Sequence, residues 1–67
     1  NYLSITVDAA GDALLKTSSN KTRLSDTTRT PASASASGKA GELCWDAAYL
    51  YVCVAANTWK RAALSTW

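Results

Sequence analysis

Sixty-seven residues with a net charge of +2 allow one small domain at most, because a chain this short hides only about 60% of its unfolded surface. Ala (13), Ser (8) and Thr (8) dominate it, Leu, Ile and Val together supply only 11 residues, and Phe and Met are absent. Even with three Trp and three Tyr, few large side chains are left to offset the entropy of ordering the backbone, so a partner is expected, most simply further copies of the chain.

Several classes of function are disfavoured at once. The basic residues form no run, which argues against a dedicated nucleic-acid partner, and no stretch approaches the ~20 apolar residues of a membrane helix. Histidine is absent, which removes the commonest general base and metal ligand. The Ser and Thr hydroxyls therefore have no His to activate them, and Lys16 and Lys39 fall in turn-like or linker sequence. No catalytic residue, metal site or cofactor is assigned. The chain opens at Asn1 with neither an initiating Met nor a signal-peptide pattern, which reads as a fragment or a processed product of something longer.

In chain order, residues 2–7 alternate, with Leu3, Ile5 and Val7 on one face and Tyr2, Ser4 and Thr6 on the other, the pattern of a strand. Asp8-Ala-Ala-Gly11-Asp12 supplies turn residues, and Ala13-Leu14-Leu15 returns, so a hairpin is predicted within residues 1–25. Thr22-Arg23-Leu24-Ser25 offers a third short strand. Residues 26–41 hold no large apolar side chain, and Pro31 excludes a helix interior. With its Ala-Ser alternation at 32–37, this segment is expected to be an extended linker, ordered mainly by neighbouring subunits.

The last segment, 42–67, is the densest. Tyr49-Leu-Tyr-Val-Cys-Val-Ala55 is β-branched and aromatic, with turn residues before it at Asp46-Ala47-Ala48 and after it at Asn57-Thr58. A three-stranded antiparallel meander with strands near 42–46, 49–56 and 59–64 is predicted, and the fold class is all-β. If Asp46 sits opposite Tyr49, then Cys44 faces Tyr51 and Cys53 faces Glu42. The two thiols then lie two residues out of register, about 7 Å along the strands, beyond ordinary disulfide reach. Free thiols are expected.

The stretches Gly41-Glu-Leu-Cys-Trp-Asp46, Tyr49-Leu-Tyr-Val-Cys-Val54 and Asn57-Thr-Trp-Lys-Arg61-Ala-Ala-Leu64, preceded by the small-residue run after Thr30, resemble a module near the C-terminal ends of bacteriophage virion proteins. Such modules occur in tail-fibre and other appendage proteins, often of phages of cyanobacteria and marine bacteria. The resemblance covers about residues 30–67. It implies a structural role in the virion, in a tail fibre, appendage or head decoration, with homotrimeric assembly, other virion proteins as partners and no enzymatic activity.

Leu43, Trp45, Tyr49, Tyr51, Val52, Trp59, Arg61 and Trp67 are the candidate interface or core residues. Trp67 reads as a terminal docking plug. Lys60 and Arg61 point to opposite faces of their strand, and Arg61 is expected to stack on Trp59 or to pair with Asp46 or Glu42. The alternative function is a receptor-binding or glycan-binding tip, in which Trp45, Tyr49, Tyr51 and Trp59 form a stacking surface for a host-surface glycan. Asp8, Asp12 and Asp46 are each explained by turn chemistry rather than by a cation, and the Asn20-Lys21-Thr22 sequon is taken as chance.

Overall fold

The computed structural model of the chain describes residues 3–67, without the Leu3 side chain. Its strands form two antiparallel sheets and there is no helix among the described residues. Strands β1 (Leu3–Val7) and β2 (Ala13–Thr17) make a hairpin, while β3 (Leu43–Trp45), β4 (Tyr49–Ala55) and β5 (Thr58–Ala63) make the meander, in the order β3-β4-β5. The all-β class is as the alternation predicted. The expected placements of Tyr2 and of the Leu3 side chain lie outside the described residues.

The hairpin turn is built by its own polar side chain. Asp8 Oδ1 accepts the backbone N–H groups of Ala10 and Asp12, both at 2.9 Å, and Gly11 takes a φ of 90° that a side chain would resist. The register pairs Ile5 with Leu15 and Val7 with Ala13, which gathers apolar side chains on one face. That face is uncovered: Ile5 is 71% and Val7 72% exposed. No strand of the hairpin packs on a strand of the meander. The radius of gyration, 14.4 Å, accordingly exceeds the value of about 11 Å for a compact chain of this length. The third strand expected at Thr22–Ser25 does not form. A single Leu gives it no face to bury, and Ser25 is used otherwise: its Oγ donates to the Thr27 carbonyl and accepts the Trp45 indole N–H at 3.0 Å.

The meander has the expected register. Cys44 lies opposite Tyr51, Asp46 donates its N–H to the Tyr49 carbonyl, and the Cys53 N–H reaches the Glu42 carbonyl at 2.9 Å. Both cysteines are free and buried. Asn57, at φ 53°, reverses the chain into β5, with a register irregularity between Cys53 and Ala55. One face of the sheet carries Cys44, Tyr49, Tyr51, Cys53, Trp59 and Arg61; the other carries Leu43, Trp45, Leu50, Val52, Lys60 and Ala62.

Residues 26–41 form no strand, but their own chain holds them, which corrects the expectation that neighbouring subunits order them. The segment crosses the first face of the sheet as a strap. At one edge the Arg29 N–H meets the Trp45 carbonyl of β3 at 2.9 Å, and at the other the Trp59 N–H of β5 meets the Ala34 carbonyl at 2.8 Å. The strap then runs back to the β4–β5 turn, where Gly38 and Asn57 exchange two bonds: Asn57 N–H to the Gly38 carbonyl, and Gly38 N–H to Asn57 Oδ1. The Trp59 indole N–H donates to the Ala36 carbonyl at 3.0 Å. Beneath the strap, Cys44, Tyr51, Cys53 and Trp59 form the buried core, with Ala36 and Tyr49 packed against them.

The absence of large side chains in the strap is what lets its backbone come this close. A Cβ on Gly38 would lie 2.8 Å from the Trp59 ring and 2.9 Å from Cys53 Sγ, both fixed in the core. Gly38→Ala is therefore expected to lower unfolding stability by about 1–3 kcal/mol. Denaturant melts followed by Trp fluorescence measure this, with the exposed Ala40→Ser as a control expected to stay within about 0.5 kcal/mol of the parent. Equal melts for Gly38→Ala and the parent would mean that the strap does not rest on Trp59.

Candidate functional site

The polar chemistry of the molecule converges where the strap passes over the β3–β4 turn. Asp46 ends β3, and its carboxylate accepts four hydrogen bonds. Oδ1 takes the backbone N–H groups of Ala48 (2.8 Å) and Tyr49 (2.9 Å), closing the turn. Oδ2 takes the Tyr51 hydroxyl at 2.5 Å and the Thr30 hydroxyl at 2.7 Å, tying sheet and strap together. These donors, Tyr51 first and Thr30 second, hold the Asp46 carboxyl well below the usual carboxylate range. In return the carboxylate pushes the Tyr51 phenol above its ordinary value.

Two arginines lie on aromatic rings of this face. The Arg61 guanidinium sits 4.1 Å from the Tyr49 ring centroid, and Arg29 sits 5.5 Å from that of Trp59. Arg29 also pairs with Glu42 at 3.4 Å, an exposed ion pair that contributes little by itself. Glu42 in turn accepts the Lys39 N–H, which together with Arg29 lowers its pKa. The partners expected for Arg61 are thus divided differently: Arg29 takes Trp59 and Glu42, and Arg61 stacks on Tyr49.

Between strap and sheet a groove of about 380 Å³ remains open, lined by Thr30 to Ala34 of the strap and by Tyr51, Trp59, Lys60 and Arg61. It combines apolar strap residues with hydroxyls and the Arg61 guanidinium, a composition suited to a small polar ligand. Among the described residues no group of three or more Cys, Asp or Glu is placed to hold a metal ion.

The candidate residues separate by face. Tyr51 and Trp59 are buried, Tyr49 is half-buried beside them, and Arg61 is exposed on the same face. Trp45 and Val52 are half-buried on the opposite face with the exposed Leu43, and Trp67 is fully exposed at the terminus. The four aromatics therefore do not form one stacking platform, because Trp45 faces away from the other three and two of those are covered. Sequence reasoning missed Arg29, Thr30, Gly38 and Asn57 as parts of this site. Thr30 and Gly38 act on residues 16 and 15 or more positions away, and the one available signal was that this polar, small-residue run precedes an aromatic meander.

Over a short stretch the chain is related to bacteriophage proteins. It is 64% identical over 36 residues to a protein of Klebsiella phage K5-2 named depolymerase 1, capsule K30/K69-specific, and 49% identical over 37 residues to one of Klebsiella phage K64-1 named depolymerase, capsule K30/K69-specific. These stretches are 54% and 55% of the chain but only 4% and 5% of the two relatives. No family model and no solved structure matches the chain. The relatives agree with the bacteriophage origin that the resemblance implied. They overturn its other implication, the absence of enzymatic activity: both are named as depolymerases, which are enzymes.

The Asp46 network has a definite pH signature. A carboxyl whose folded pKa is depressed contributes stability that is present above its unfolded value of about 4 and is lost as pH falls towards the folded value. A phenol whose folded pKa is raised contributes stability that is present below about 10 and is lost above it. The parent is expected to lose stability in both directions, Asp46→Asn to show a flatter acid limb, and Tyr51→Phe a flatter alkaline limb. Melting temperatures between pH 2 and 11 read both limbs; curves for Asp46→Asn that run parallel to the parent below about pH 4 would refute the role given to this carboxylate.

Proposed function

We propose that this chain is a segment of a bacteriophage tail-associated depolymerase that degrades capsular polysaccharide, carried on the virion as part of a homotrimer. The observation that carries the reading is the 64% identity over 36 residues to a capsule-specific depolymerase, together with a second relative of the same name. The strap and meander serve there as a self-contained β module. Its strap-covered face holds the core, and its opposite face, with Leu43 and Leu50 exposed, is left for contact with further copies of the chain or with other virion proteins. The hairpin supports the same reading, since an isolated two-stranded ribbon is marginal in water and its apolar face needs a cover.

The activity is tested with the full-length protein that contains this chain, incubated with purified capsular polysaccharides that include types K30 and K69. Release of new reducing ends and a fall in viscosity are expected with at least one type. A fully assembled protein that cleaves none of a broad capsule panel would sink the reading. Assembly is tested by native mass spectrometry of the same protein at micromolar concentration, where a trimer is expected and a monomer would refute the homotrimer.

A further inference from the structure

The groove between strap and sheet has a chemistry of its own. It is bordered by the apolar Pro31 and Ala34 of the strap and by the edges of the buried Tyr51 and Trp59, its cation is Arg61, and no carboxylate lines it; Lys60 borders it too but belongs to the opposite face of β5. Among the described residues, Arg61 makes no ion pair with an acidic side chain. Asp46 is bonded to the Thr30 and Tyr51 hydroxyls of the groove wall, and all four of its hydrogen bonds are made within the module. The Arg61 guanidinium is thereby left without a carboxylate partner among the described residues.

Its hydroxyls are also directed. Thr30 and Tyr51 both donate their protons to Asp46, so towards any further partner their oxygens can act only as acceptors. A ligand must then bring hydroxyl donors for these oxygens, a negative group for Arg61, and an apolar edge for Pro31 and Ala34. At about 380 Å³ the space lies near the lower end of ligand sites, which run from about 300 to 1,000 Å³. Stacking on Tyr49 leaves the edges of the Arg61 guanidinium free to donate two parallel bonds to a carboxylate.

We propose that this groove is a binding site for an acidic saccharide, a pyranose unit bearing a carboxylate. Arg61 takes the carboxylate, the oxygens of Thr30 and Tyr51 accept ring hydroxyls, and the C–H face of the sugar lies against Pro31 and Ala34. The proposal rests on the capsule-polysaccharide reading for its ligand class and deepens it by naming the charge of the unit that is held. It makes no claim on bond cleavage. Binding without depolymerisation would refute the earlier reading alone, and depolymerisation without acidic-sugar binding would refute this one alone.

The test is a titration of the ¹⁵N-labelled 67-residue chain with a galacturonic acid trisaccharide and, separately, with a neutral galactose trisaccharide of the same linkage. Only the acidic sugar is expected to shift amides of Thr30 to Ala34 and of Trp59 to Arg61, and added salt is expected to weaken it. Loss of one charge-assisted contact in Arg61→Gln should weaken binding by about tenfold or more. Lys60→Gln, exposed on the opposite face of β5, removes the same charge away from the groove and should change binding by less than about twofold. Equal binding of both sugars, shifts confined to other residues, no binding of the acidic sugar up to about 10 mM (some 2.7 kcal/mol), or unchanged affinity of Arg61→Gln with a native spectrum would each overturn the proposal.

Discussion

The carboxylate of Asp46 is the one group on which the three parts of the module depend together. A carboxylate accepts up to about four hydrogen bonds, and here the four come from three structural levels: two backbone N–H groups inside the turn, a phenol from the next strand, and a hydroxyl from a segment 16 residues upstream. The turn residue is thereby also the clasp that fastens the strap. Its ionisation and the protonation of Tyr51 support each other, since each shifts the other's pKa in the direction that preserves the bond. Saturation has a further consequence. With no acceptor direction left over, Asp46 makes no hydrogen bond to Arg61, whose guanidinium stacks on Tyr49 instead.

Among the described residues the buried core has four side chains, two of them Cys, which is small even for a chain of this length. It is sufficient to organise the sheet because the strap supplies backbone polar groups as well as surface. Trp59 is bonded through its backbone N–H to Ala34 and through its indole N–H to Ala36, so the largest core residue is buried without an orphaned donor. Side chains larger than Ala or Ser would lift the strap off this ring, and at Gly38 even a methyl group is too much. The biased composition of residues 26–41 is thus a packing requirement, met inside one chain.

The meander was legible in the sequence because alternation and turn chemistry are local. Asp46 opposite Tyr49 sets the β3–β4 register, from which the free cysteines follow, whereas the irregularity between Cys53 and Ala55 in the β4–β5 pair has no such local signal. The strap was not legible, for the same reason in reverse. A segment with no large side chain has no periodicity to read, and its partners lie far along the chain: Trp45, Asp46, Asn57 and Trp59. The division of the arginines failed likewise. Facing parity put Arg61 on the face of Trp59, which is right, but it could not reveal that Arg29 arrives over that ring from the strap and leaves Arg61 to Tyr49.

The two faces of the meander consequently have different histories of burial. The first is closed by its own chain and retains only a groove, with Arg61 on its wall. The second carries the exposed Leu43, Leu50 and Lys60 beside the half-buried Trp45 and Val52, and the hairpin has an exposed apolar face of its own in Ile5, Val7 and Leu15. The strap crosses only the first face before it returns to Asn57. Under the proposed function the open surfaces are left for contact with further copies of the chain or with other virion proteins, while the groove is formed within the module. In the proposed assembly, oligomerisation and saccharide binding therefore use opposite faces of a three-stranded sheet, and burying the first need not occlude the second.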